Sequence, residues 1–217
     1  MGLHNSNISQ GAKEKQPLFP TGHDKEIQQK VIRLHKELEE KKWSLINRFV
    51  DELTKASGRV IITKEKDEVR EYIIRLIDER NAKALAIWES DLLLSLREFL
   101  LDKGLQFASP DNKSEMAEAD IGITEANFAI AETGTIVLIS NEKQPRSASL
   151  IPPIHIAVMK SDIIVENLDE LFFLVQNSYE PTSCITFITG PSRTADIELN
   201  ITLGVHGPKE LFVLIYP

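Results

Sequence analysis

From Asp24 onward, apolar residues recur at spacings of three and four: Ile27, Val31, Leu34 and Leu38, then Leu45, Phe49 and Leu53. That stripe predicts an amphipathic helix. One unbroken helix of some thirty residues would be about 45 Å long, more than a small domain can cover. The helix therefore either breaks near Lys42–Ser44 or sends its first half out to a partner. Glu37, Glu39, Glu40, Lys41 and Lys42 in its middle read as a solvated face. Gly58 is expected to stop it. Beyond that point short apolar runs alternate with amphipathic stretches. Val60–Ile62 and Ala84–Trp88 predict strands, and Asp67–Asn81 between them predicts a helix with Val69, Ile73, Leu76 and Ile77 inward. Ser90 is placed to cap a helix over Asp91–Lys103, with Leu93, Leu96 and Leu100 buried and Gly104 at its end. Leu105–Ala108 predicts a third strand, and Lys113–Ala119 a short helix. Strand and helix in succession point to parallel βαβ units.

The second half changes style. Phe128–Ala131 and Thr135–Ile139 flank Glu132-Thr133-Gly134, as in a bulged strand or tight hairpin where Gly supplies a positive φ. Strands are expected at Ile154–Met159, after Pro152-Pro153, and at Cys184–Thr189 and Leu211–Tyr216. Helices are expected from Leu168, capped by Asn167, and at about Asp196–Ile201. The fold class is α/β, a three-layer α/β/α arrangement with a mixed sheet and an N-terminal helical extension. The organisation predicted is a flexible tail over residues 1–22, a helical segment over 23–57 and an α/β domain over 58–217.

Composition narrows the partners. Residues 1–100 hold 18 Lys/Arg against 17 Asp/Glu, whereas residues 101–217 hold 7 against 16. The acidic second half argues against a nucleic-acid partner. The single cysteine, Cys184, excludes an internal disulfide and a cysteine-only metal site within one chain. It opens an apolar strand with no adjacent cation and reads as an inert packed thiol. Neither a signal-type apolar region at Met1–Pro20 nor an apolar run of membrane-span length is present. A soluble, cytoplasmic protein is the expectation.

Candidate chemistry collects in two polar knots, expected to meet in space. The first is Glu132-Thr133-Gly134-Thr135. Its Glu132 can serve as general base, nucleophile or turn-stabilising acceptor. The second runs from Gly190 to Pro208. Gly190, Ser192, Arg193 and Thr194 can hold an anion, since Gly lets the backbone approach, two hydroxyls and a guanidinium donate, and a helix start is expected to follow. The alternative is an ordinary helix cap, with Thr194 capping and Asp196 and Glu198 complementing the dipole. Those two acids are two residues apart and face different sides of a helix. No Walker loop is present. His206 lies between Gly204 and Gly207, free to serve a ligand or to bond local carbonyls. His155 reads as structural. The histidine spacings match no metal site, and no cofactor motif stands in the chain.

Four segments resemble one family. AIAETGTIVL (129–138), Arg146 through SLIPPIHIAV (149–158), GPSRTADIE (190–198) and LGVHGPKEL (203–211) look like the LUD-domain family, in its lactate utilization protein C branch. The likeness runs from about Phe49 to Pro217, with the four motifs in the family's order. It implies a fold similar to the sugar-phosphate isomerase and coenzyme A transferase superfamily. It also implies a role in bacterial oxidation of L-lactate to pyruvate, beside iron–sulfur partner subunits. Glu132 becomes attractive as a catalytic carboxylate, although fold analogy does not transfer chemistry.

Two functions follow from different classes. One is a non-redox accessory subunit that binds a small anion through Thr133, Gly134, Gly190, Ser192, Arg193, Thr194, Asp196, Glu198 and Gly207, and docks the iron–sulfur subunits. The other is a stand-alone enzyme acting on an acyl or phosphorylated small molecule, with Glu132 and His206 catalytic. The sequence leaves homo-oligomerisation open.

Overall fold

The computed structural model describes residues 25–178, 184–195, 201–203 and 206–217. Two helices lead, α1 (Lys25–Glu40) and α2 (Lys42–Lys55). Strand and helix then alternate through β1 (Arg59–Ile62), α3 (Lys66–Glu79), β2 (Ala84–Ile87), α4 (Asp91–Leu101), β3 (Gln106–Phe107), α5 (Lys113–Glu118) and β4 (Ile121–Glu125). A hairpin of β5 (Phe128–Ile130) and β6 (Thr135–Ser140) follows. The short α6 (Ser147–Leu150) and β7 (Ile154–Lys160) come next, and a 3-10 turn at Ser161–Ile163 leads into β8 (Ile164–Val165). The chain continues with α7 (Leu168–Ser178), β9 (Cys184–Ile188), the ribbon β10 (Arg193–Ala195) and β11 (Ile201–Leu203), and closes on β12 (Glu210–Tyr216).

Six strands form a parallel sheet in the order β1-β12-β7-β4-β2-β3. Its central strands are apolar on both faces. Ile156–Met159 and Leu211–Tyr216 are all buried, as a parallel sheet covered by helices requires. A second sheet, β8-β5-β6-β9, carries the mixed pairing: β5–β6 and β6–β9 are antiparallel, and β5–β8 is parallel. This is the α/β class expected, with parallel and antiparallel pairing divided between two sheets. Among the described residues no helix is long and apolar enough to cross a membrane.

Local signals account for most elements. Ser90 caps α4, its Oγ accepting from Leu93 N at 3.3 Å. Asn167 Oδ1 accepts from Glu170 N at 3.0 Å at the start of α7. The long N-terminal stripe breaks at Lys41, between α1 and α2. Leu45, Ile46, Phe49 and Leu53 of α2 are buried, each stabilising by about 1.5–3 kcal/mol. On α1 only Leu38 is buried. The residue that ends α2 is Ser57, in the left-handed region at φ 68°, one position before Gly58. Gly58 N donates back to Leu53 O at 2.9 Å and closes the motif.

Besides the Gly58 stop, two expectations are corrected and one strand is added. The central strand β4 was not anticipated, because Gly122 interrupts its apolar run. The helix foreseen at about Asp196–Ile201 does not extend to Ile201, which opens β11; residues 196–200 lie outside the described residues. Thr194 is no helix cap: it lies in β10 opposite Thr202, and β-branched residues on both sides favour the ribbon. The predicted tail over residues 1–22 also lies outside the described residues.

Candidate functional site

The two knots are joined through the last turn of α2. The β5–β6 turn ends on Gly134, at φ +63°. A Cβ there would stand 2.2 Å from Leu53 N and 2.6 Å from the Glu52 carbonyl carbon. From the second knot, Gly190 approaches the same helix end, where a Cβ would lie 2.5 Å from Ala56 O. Both positions admit only hydrogen.

Hydroxyls then link the knots directly. Thr133 Oγ1 lies 2.7 Å from Thr135 Oγ1, which lies 2.8 Å from Thr189 Oγ1. Thr135 is buried, while Thr133 and Thr189 reach solvent. Sequence reasoning missed Thr189 and gave Thr135 no role. Their pairing follows from the β6–β9 register, which sets Ile136 opposite Ile188 and so brings the next residues together.

Arg193 turns toward the helix end as well. Its Nη2 donates to Ala56 O at 3.2 Å and to Ser57 Oγ. A guanidinium at a helix C-terminus satisfies an orphan carbonyl and suits the negative end of the dipole. Ser192 N donates to Pro208 O at 2.7 Å, and Gly207 packs against Ser192. His206 is exposed. Among the described residues no hydrogen bond or ion pair joins it to Glu132 or Arg193. Asp196 and Glu198 lie outside the described residues.

Glu132, in the β5–β6 turn, faces α2 at Arg48, one turn before Glu52. Its side chain is 53% exposed, with Arg48 Nη2 at 3.8 Å. Arg48 also reaches Glu166 at 4.0 Å, and Lys41 Nζ bonds Glu166 at 2.8 Å. The Lys41 hydrogen bond and charge hold the Glu166 carboxyl below the usual carboxylate range, and the same contact raises the Lys41 ammonium. Exposed pairs of this kind contribute little stability, so the chain of charges orients side chains more than it fastens the helix.

The knot contacts gather at one edge of the parallel sheet, whereas the charges on Arg48 and Lys41 run back along α2 toward its start. Gly58 precedes β1, Pro153 precedes β7 and Lys209 precedes β12, with Lys209 N donating to Pro153 O at 2.7 Å. The knots thus lie at the amino ends of the parallel strands, although Gly190 follows the carboxyl end of β9. His155 is nearby in β7, fully buried, its Nε2 2.9 Å from Thr124 Oγ1. Its Nδ1 has no partner among the described residues. Burial pushes the imidazole down to about 3, so it is neutral.

The LUD domain profile matches residues 46–216, a span that holds both knots and α2's last turn. The chain belongs to the LUD-domain family. Within it, this LUD protein is similar to the lactate utilization protein C branch. It is 33% identical to Lactate utilization protein C of Halalkalibacterium halodurans over 76% of this chain and 75% of that protein. To Lactate utilization protein C of Bacillus subtilis it is 30% identical over 85% of this chain and 74% of that protein. A crystal structure of a DUF162 family protein from Deinococcus radiodurans shares the fold. It has a TM-score of 0.60 at 22% identity, covering 81% of this chain and 98% of that one.

Proposed function

We propose that this LUD protein is a subunit of a bacterial lactate utilization system, needed for oxidation of L-lactate to pyruvate beside iron–sulfur partner subunits in the cytoplasm. Its similarity to proteins named for lactate utilization supports the role. One cysteine cannot ligate an iron–sulfur cluster unaided, so electron transfer falls to partners. The observation that carries a site proposal is the meeting of two separate motif segments on the last turn of α2. There the exposed Thr133 and Thr189 hydroxyls and the N–H groups of Arg193 not spent on the helix bind a small anion. Glu132, exposed beside Arg48, acts in positioning and docking rather than as a desolvated catalytic base.

Deleting the gene should abolish growth on L-lactate as sole carbon source and leave growth on pyruvate intact. Normal growth on lactate would sink the role. For the site, a thermal-shift series with lactate, pyruvate, coenzyme A thioesters and sugar phosphates should contain one stabiliser whose effect Arg193→Met removes. At ~100 times its dissociation constant such a ligand adds about 2.7 kcal/mol. No shift with any of them would reject the anion site and leave the docking role standing.

A further inference from the structure

The opposite edge of the parallel sheet holds a trough that the lactate reading does not use. Two adjoining clefts, about 360 and 310 Å³, share His35 and Leu38 on the helical wall and Asp162 and Ile163 on the facing wall. The facing wall begins where β7 ends, at Lys160, and the second cleft reaches Asn127 and Phe128 just past β4. This is the position outside the carboxyl ends of parallel strands where α/β folds take ligands. The volumes fall at the small end of the range of about 300–1,000 Å³ typical of small-molecule sites.

Its charges are arranged selectively. Lys42 and Glu39 on the rim answer one another at 3.5 Å. Lys160 and Asp162 are both exposed, and neither forms an ion pair with the other or with any described residue. Among the lysine and acidic side chains that line the two clefts, Lys160 and Asp162 are the ones left without an ion pair, although the Asp162 charge also acts on the Tyr216 hydroxyl. Leu38 and Ile163 line both clefts and Leu174 the second, so the walls also offer apolar surface.

We propose that this trough binds a zwitterion with an apolar side chain, an α-amino acid of the leucine or phenylalanine type. The ligand carboxylate meets Lys160, its ammonium meets Asp162, and its side chain covers Leu38 and Leu174. A simple anion would leave Asp162 unanswered and repelling it, and a simple cation would do the same with Lys160. The helical wall is made by α1 together with Lys42 and Leu45 of α2, and α1 rests on the body through half-buried Val31 and Leu34 and buried Leu38. An occupant bridging both walls therefore pins α1 down. This inference stands independently of the lactate role.

Calorimetry on the full chain should show saturable binding of L-leucine or L-phenylalanine. Binding should be at least tenfold weaker for leucinamide, which lacks the carboxylate, and for 4-methylpentanoate, which lacks the ammonium; tenfold corresponds to about 1.4 kcal/mol. Asp162→Asn and Lys160→Met replace exposed side chains, so the fold is kept, and each should cost a similar factor. Hydrogen exchange should slow across Val31–Leu38 in the presence of the amino acid. Absence of saturable binding up to about 10 mM, ten times the 1 mM at which binding is worth only about 4 kcal/mol, would overturn the proposal. So would equal binding of the single-charge analogues, or variants that bind like the parent.

Discussion

The two edges of the parallel sheet are built on opposite terms. At the amino edge, two motif segments close on the last turn of α2 so tightly that neither Gly134 nor Gly190 has room for a methyl group. Polar groups there are occupied with one another: Arg193 with Ala56 and Ser57, Thr135 with two hydroxyls, Ser192 with Pro208. At the carboxyl edge, α1 lies over open clefts and buries one side chain. Lys160 and Asp162 have no ion partner among the described residues. α2 spans the distance between the edges, roughly 20 Å for its fourteen residues. A motif rich in catalytic-looking residues can thus be largely a fastening, while unspent charge stands where the motifs are not.

Core truncation tests that contrast most strongly. Phe49→Ala, in the buried face of α2, should cost about 3–5 kcal/mol, against about 1 kcal/mol for Leu34→Ala on the lightly anchored α1. Chemical denaturation of both variants measures the difference, and equal losses would mean α1 is as firmly seated as α2. Next in size, Gly134→Ala adds a methyl group against α2 in a left-handed backbone and should cost roughly 3 kcal/mol. Gly104→Ala has a similar φ of +78° with nothing within 4 Å, so it isolates the backbone cost at about 1–2 kcal/mol. A similar melting point for the two would refute the tight amino edge.

Acid should act on the same edge. His155 is neutral in the fold at a value of about 3 and titrates near 6.5 once unfolded, so the unfolded chain binds the extra proton between those limits. Stability is therefore intact above 6.5 and falls toward 3, by about 1.4 kcal/mol per pH unit and about 2 kcal/mol at pH 5. Denaturation at pH 5 and pH 7 should show the loss, and His155→Gln should flatten it. An unchanged slope in that variant would assign the acid sensitivity to other groups.

What could be read from the residues in order was whatever depends on near neighbours. The apolar stripes of α2, α3 and α4, the Ser90 and Asn167 caps, the β5–β6 turn and the family motifs are all local patterns, and periodicity and capping act within a few residues. The family likeness lay in the same contiguous segments. Tertiary structure decided the rest. Gly122 is a weak strand residue by itself and belongs to β4 because β2 and β7 pair on either side. Acids after Thr194 resemble the first turn of a helix, yet antiparallel pairing with Thr202 makes a ribbon of the segment's start. Thr135 meets Thr189, and Lys160 comes to face the helical wall of the trough, through strand register and helix docking. Such contacts join residues far apart along the chain, and no short stretch of sequence records which partner will stand opposite.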